Sequence, residues 1–132
     1  MIKEIILASQ SEIRKKILEE AGFVITTKVS GVDEDEIKAS MKANKASCLS
    51  IAKSLAEHKA NRISAKFPNF FVLGADQVLD LDGDCISKPI TEKEAKNIIS
   101  KLSGKTHKLH SAVCVSKNGS MVWHHHETSK LT

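Results

Sequence analysis

Phe70-Phe71-Val72-Leu73-Gly74-Ala75-Asp76-Gln77 is an apolar run that stops abruptly at a carboxylate. Four to eight apolar residues bounded by turn signals read as an interior strand, although periodicity alone leaves a buried helix segment open. A carboxylate ending such a strand needs something charged to meet it. In α/β proteins ligands gather beyond the carboxyl ends of strands, so Asp76 is the first place to look for chemistry. Side chains alternate along a strand, which puts Gly74 on the face of Asp76. A glycine there is expected to leave room for a ligand beside the carboxylate. Gln77 points the other way or lies at the turn. The plainer alternative is that Asp76 merely caps a loop.

Upstream of this strand, Ile2 to Ala8 reads as a first strand, and Ser9-Gln10-Ser11 as a turn with good helix-capping chemistry. Ile13, Ile17, Leu18 and Ala21 follow at helical spacing until Gly22 ends the helix. Phe23 to Val29 is rich in β-branched residues and reads as a second strand. Asp33-Glu34-Asp35-Glu36 sits in a loop or at a helix start, where negative charge complements the helix dipole. A longer helix is expected over Ser47 to Ile63. Downstream, Asp82-Gly83 marks a hairpin turn. Thr91-Glu92-Lys93-Glu94 is a capping box that opens a helix running to about Leu102. Leu109 to Ser116 and Met121 to His126 form a hairpin across Asn118-Gly119. The predicted order is β-α-β-α-β-β-α-β-β, one mixed α/β domain over 1–132 with no internal repeat or linker.

Composition narrows the function classes. The 132 residues suffice for one domain with a real core. Aromatic residues make up only 4%, which argues against a nucleic-acid surface built on base stacking. The net charge of +4 comes from dispersed lysines that suit a phosphorylated ligand without demanding one. Cys48, Cys85 and Cys114 are far apart and odd in number, so no disulfide framework is expected and a reducing compartment is implied. All three lie in apolar contexts and read as core residues rather than nucleophiles. No stretch is long and apolar enough for a membrane span, which makes the cytoplasm the expected location.

Other clusters carry less. The turn from Leu7 to Arg14 leaves free N–H groups at a helix start, and Ser9, Ser11 and Arg14 could complete an anion site there. An ordinary cap with a surface arginine is the plainer reading, and Glu12 would compete for the same N–H groups. Asp80, Asp82 and Asp84 surround Gly83 but lack the closing glutamate of a calcium loop, so hairpin solvation accounts for them. In His124-His125-His126 only the first and third could share an ion, and no partner residues complete a zinc site. An exposed edge strand explains them.

Six segments in register resemble the Maf family of nucleoside-triphosphate pyrophosphatases. They are Leu7–Arg14, Val32-Asp33-Glu34, Leu55–Ala60, Gly74–Val78, Lys88-Pro89 and Leu102–His107. The resemblance implies a mixed, twisted sheet flanked by helices, and hydrolysis of a nucleotide between its α and β phosphates to a monophosphate and pyrophosphate. By this resemblance Asp76 is the acidic residue that activates water, as general base or through a metal. Ser9, Ser11, Arg14, Lys59 and Lys88 would hold the phosphates. Glu34 and Asp76 would hold a divalent cation, Mg²⁺ or Mn²⁺, which prefers one or two carboxylates plus phosphate oxygens.

Two departures bear on specificity: Ile13 replaces the first of two adjacent arginines, and Gln77 stands where threonine commonly follows the aspartate. The Asp76-Gln77 pairing resembles the branch preferring methylated or modified guanine nucleotides, such as 7-methyl-GTP. The family continues well beyond residue 132, so the resemblance also implies a chain lacking the C-terminal elements, with apolar surface where they would pack. The runner-up to an enzyme is therefore an inactive remnant with a phosphate-binding half-site, able to form a homodimer. A small basic nucleic-acid-binding module comes last.

Overall fold

The structure, a computed structural model, describes residues 3–9, 11–86, 91–102 and 106–131. The elements run β1 (Lys3–Leu7), α1 (Glu12–Glu20), β2 (Phe23–Thr27), α2 (Glu34–Ala43), α3 (Cys48–Lys66), β3 (Phe71–Leu81), β4 (Asp84–Ile86), α4 (Glu92–Leu102), β5 (His107–Lys117) and β6 (Ser120–Leu131). The sheet order is β2-β1-β3-β5-β6, with β4 also paired to β3. β1 runs parallel to β2 and β3, whereas β4 and β5 run antiparallel to β3, and β6 antiparallel to β5. This is the mixed α/β sheet expected from the sequence.

Local chemistry sets most boundaries. Ser11 caps α1 by accepting the Arg14 N–H, and Gly22 leaves the helix at a φ of 97°. Such a left-handed turn favours glycine. Thr91 and Glu94 form the reciprocal bonds of a capping box, at 3.4 and 3.1 Å. Asn118 and Gly119 both take positive φ in the β5–β6 turn, the geometry of a tight hairpin. The end expected for α4 at Ser103-Gly104 lies outside the described residues.

One helix was not resolved from the sequence. The acidic segment opens α2, with Asp33 as N-cap accepting the Glu36 N–H at 3.0 Å. It therefore settles at the helix-start alternative and adds an element to the predicted order. None of the α2 residues is buried, so it lacks the wide apolar stripe by which helices are usually read.

The core lies between α3 and one face of the sheet. Ala52, Ala56 and Ala60 form a small-residue stripe on α3, joined by Ile51, Leu55 and Ile63 against Val72, Val78, Ala112 and Cys114. Gly74 faces this stripe. A Cβ placed there would sit 2.3 Å from the Ala56 carbonyl oxygen and 2.9 Å from the Ala60 nitrogen. The space left by Gly74 is thus filled by the backbone of α3 and not by a ligand, which corrects the sequence expectation. Polar bonds secure the far end. Ser64 Oγ accepts the Gly119 N–H at 2.9 Å, and Ser116 Oγ donates to Asn61 Oδ1.

Two further readings change. Cys48 and Cys85 are joined by a disulfide, with Cα atoms 5.5 Å apart. The β3–β4 hairpin folds over the start of α3 and brings together cysteines separated by 37 residues. The expectation of no disulfide, and the reducing compartment drawn from it, therefore loses its basis, while Cys114 is free and buried as expected. Asp80 is also more than a solvated hairpin residue. Its Oδ1 accepts the Gly83 N–H at 2.7 Å, and its Oδ2 lies 2.8 Å from His110 Nε2. The histidine run behaves as read: β6 ends the sheet order and its residues from 120 to 130 are exposed. Trp123 (53% exposed) and Val122 (57% exposed) lie on it.

Candidate active site

The cleft opens where β3 loses its neighbours. β1 pairs with β3 only as far as Leu7↔Leu73, and β4 pairs only from Leu79↔Ile86 onward. Residues 74–78 between them have no strand partner on that edge among the described residues. Asp76 thus sits in the middle of β3, which runs on to Leu81, and does not end the strand as the sequence suggested. The cleft lies instead beyond the carboxyl end of β1, a favoured place for ligands in open α/β sheets. The cleft has a volume of about 670 Å³, ample for a nucleotide-sized ligand.

Asp76 projects into this cleft from the face that α3 covers. Because Gly74 lets α3 approach so closely, Lys59 on that helix reaches across to Asp76 Oδ1 at 3.3 Å. The same ammonium lies 2.5 Å from Glu34 Oε1 at the start of α2. The side chains of Lys59 and Asp76 are 14% and 15% exposed. One buried cation therefore serves two carboxylates. Asp76 Oδ2 is buried with no hydrogen-bond partner among the described residues. Burial pushes the Asp76 pKa above its ordinary value of 3.8, and the attraction and hydrogen bond of Lys59 only partly offset it. A partly desolvated carboxylate of this kind is a better base than an exposed one.

The opposite wall is built by the β1–α1 turn. Ser9 Oγ accepts the Ser11 N–H at 3.1 Å and Arg14 Nη1 at 3.3 Å. Ser9, Ser11 and Arg14 all line the cleft, so the serine holds the guanidinium toward it. The third wall is α2. Glu34, Lys38 and Lys42, four residues apart, fall on one helix face, and all three line the cleft. Lys42 Nζ donates to the Cys85 carbonyl at 3.3 Å, tying α2 to β4. The described lining carries four cations (Arg14, Lys38, Lys42 and Lys59) against two carboxylates, Glu34 and Asp76. The surplus is positive and suits an anion.

The other side of β3 is different in character. Gln77 points away from α3 and its Nε2 donates to Ser111 Oγ at 3.3 Å. Leu79 and Leu109 are paired across the ladder on that same face, and with Ile98 of α4 they line the cleft. One end of the cleft is charged and the other apolar.

The structure thus brings together Ser9, Ser11, Arg14, Glu34, Lys59, Asp76 and Gln77. It does not bring Ile13 to them; that side chain is 74% exposed on α1 and is absent from the cleft lining. Lys88 lies outside the described residues. Lys38, Lys42, Leu79, Ile98 and Leu109 were not singled out from the sequence. The spacing of 34, 38 and 42 carried the signal for the lysines once a helix is assumed there. Cys114 is no rival nucleophile, since burial pushes its thiol pKa up.

The Maf-like protein family model matches residues 4–132. A nucleoside triphosphate pyrophosphatase of Pelagibacter ubique (strain HTCC1062) is 51% identical over 132 residues, covering 100% of this chain and 68% of the relative. One of Paramagnetospirillum magneticum (strain ATCC 700264 / AMB-1) is 44% identical over 126 residues, 96% of this chain and 65% of the relative. The chain spans about two thirds of the length of these curated relatives. Among solved structures, a HAM1 protein from Coxiella burnetii matches with a TM-score of 0.56 at 16% identity, over 97% of this chain and 71% of that one. The Staphylococcus aureus Ham1 protein matches with a TM-score of 0.53 at 11% identity, over 98% and 70%. At such low identity these two structures establish the fold alone. No helix among the described residues is long and apolar enough to cross a membrane. The family match over nearly the whole chain, together with relatives at 44–51% identity, means that this chain belongs to the Maf-like protein family.

Proposed function

We propose that the cleft hydrolyses nucleoside triphosphates between the α and β phosphates, releasing a nucleoside monophosphate and pyrophosphate. The observation that carries this reading is Asp76, a desolvated carboxylate with one buried oxygen unpartnered, at the edge of a cleft with surplus positive charge. The relatives, themselves nucleoside triphosphate pyrophosphatases, support the same reaction class. In the reaction, water attacks the α phosphorus while Asp76 accepts its proton. The bond to the bridging oxygen breaks, and pyrophosphate leaves. Little covalent work falls to the protein, so positioning and charge stabilisation carry the rate. Ser9, Ser11 and Arg14 would bind phosphate oxygens at the α1 start, with Lys88 joining them by family resemblance. Lys59 orients Asp76 and Glu34 before it meets substrate, because both carboxylates already claim its charge.

Asp76 and Glu34 would hold a divalent cation, Mg²⁺ or Mn²⁺. The orphaned Asp76 Oδ2 beside a second carboxylate fits a hard cation that completes its shell with phosphate oxygens and water. Such an ion supplies charge neutralisation on the phosphate chain. The nucleobase would rest against the apolar end formed by Leu79, Leu109 and Ile98, where the Gln77 amide offers hydrogen bonds. A modified guanine nucleotide such as 7-methyl-GTP is the base assignment that the family resemblance of the Asp76-Gln77 pairing supports. A panel of nucleotides with and without chelator tests the reading. Pyrophosphate release that requires Mg²⁺ or Mn²⁺ and is fastest with 7-methyl-GTP is expected. Faster release from dTTP and UTP contradicts the base assignment, and turnover that survives chelation contradicts the metal. The alternative, an inactive phosphate-binding remnant, predicts nucleotide binding with no pyrophosphate formed by any member of the panel.

A further inference from the structure

The α2 face toward the cleft presents three charged residues in sequence, and its two ends are already engaged. Glu34 is held by Lys59, and Lys42 by the Cys85 carbonyl. Lys38 lies between them, half-buried, and makes no hydrogen bond or ion pair among the described residues. A cleft cation that no anion meets directly is available to an anionic ligand. The cleft carboxylates do not fill that role, since both are bonded to Lys59. Lys38 nevertheless acts on the site from this position: its charge pulls the Asp76 carboxyl toward the ionised form. Arg14 on the β1–α1 wall is steered by Ser9. The cleft therefore has a guanidinium on one wall and an unengaged ammonium on another.

We infer that Lys38 is a substrate-binding residue that grips the polyphosphate chain of the nucleotide from the α2 wall, while Arg14 binds it from the β1–α1 wall. The inference rests on the pyrophosphatase reading for the identity of the anion. Lys38 then does not touch water or proton in the reaction. Its loss lowers affinity and leaves the chemical step intact at pH values where Asp76 is fully ionised, while moving the acid limb of the rate profile to higher pH.

The test is binding of a nucleoside triphosphate with a methylene group in place of the α–β bridging oxygen, and separately of inorganic pyrophosphate, by titration calorimetry. Lys38→Gln is expected to weaken the analogue about tenfold, the loss of one charge-assisted bond. Lys38→Arg should stay within about threefold of wild type. Lys16→Gln, an exposed α1 lysine remote from the cleft lining, should leave affinity unchanged. In turnover at a pH where Asp76 is fully ionised, Lys38→Gln should raise KM with kcat nearly constant, the mark of uniform binding. The gap between wild type and Lys38→Gln should narrow at high salt, as electrostatic contacts are screened. Affinity of Lys38→Gln within twofold of wild type overturns the inference, as does an equal loss in Lys38→Arg. A wild-type chain that fails to bind the analogue overturns it too. Wild-type binding that depends on Lys38 but yields no pyrophosphate from natural nucleotides keeps the inference and sinks the hydrolytic reading.

Discussion

Asp76 and Asp80 lie four residues apart on one face of β3, yet their surroundings drive them in opposite directions. Asp76 is desolvated with one oxygen unpartnered, and its pKa rises. At Asp80 burial alone would raise the pKa, but hydrogen bonds from His110 and the Gly83 N–H outweigh it and bring the net value below 3.8. With Asp80 ionised, His110 Nε2 donates to it, and Nδ1 on the other side of the ring lies 2.8 Å from Thr128 Oγ1. A carboxylate whose folded pKa is lowered stabilises the protein above its unfolded pKa. That contribution disappears as pH falls through the lower folded value. Asp80 should therefore hold the β3–β4 hairpin at neutral pH and release it below pH 3.8. Asp80→Asn is expected to cost about 1–2 kcal/mol at pH 7 in urea unfolding. The difference from wild type should shrink as pH falls below that window, and a penalty that persists undiminished to the lowest accessible pH would refute the assignment.

The element that places the chemistry is α3. Its alanine stripe and Gly74 together set how near Lys59 comes to Asp76. Gly74→Ala must push the helix away, because the new methyl meets backbone atoms rather than a flexible side chain. A loss of about 1–3 kcal/mol is expected from overpacking, with loss of pyrophosphate release. Unchanged thermal unfolding in that variant would show that α3 does not sit as described. The disulfide between Cys48 and Cys85 ties the start of α3 to β4. Cys48→Ser should cost about 2–4 kcal/mol of stability under oxidising conditions. A chemical reductant should lower wild type to the level of the variant, and melting curves in both conditions would check this. Elements announced by local chemistry were legible in the sequence. Ser11 at its cap, Thr91 with Glu94, and Asn118-Gly119 each act within a few residues. What depends on distant partners was hidden. The disulfide needs the hairpin to fold over α3, and the contact that fills the space at Gly74 needs the helix in place. The α2 helix escaped notice because its inward face is narrow, carried by the partly buried Ile37 and Met41, so its acidic cap is the main local signal.

Across the whole molecule, the cleft gathers side chains from α1, α2, α3, α4 and β3 to β5, with Ser9 from the turn after β1. Glu34, Asp76, Arg14 and Lys59 could be picked out in the sequence through their segment resemblance, whereas Lys38 and Lys42 could not, and the structure places Glu34, Lys59 and Asp76 in one bonded cluster. Their pairing was not legible. Lys59, expected to serve phosphate, is paired with two carboxylates, so before substrate arrives the unpaired positive charge of the described cleft lies with Arg14 and the α2 wall. This division makes Asp76 the residue on which turnover should depend most steeply. The deciding measurement compares the products formed by wild type and Asp76→Asn from nucleoside triphosphates with Mg²⁺, resolved by ion-exchange chromatography. The account predicts equal amounts of monophosphate and pyrophosphate from wild type, and a rate at least about a hundredfold lower for Asp76→Asn with an unaltered circular dichroism spectrum. Diphosphate and orthophosphate as products, or equal rates for the two proteins, would contradict it.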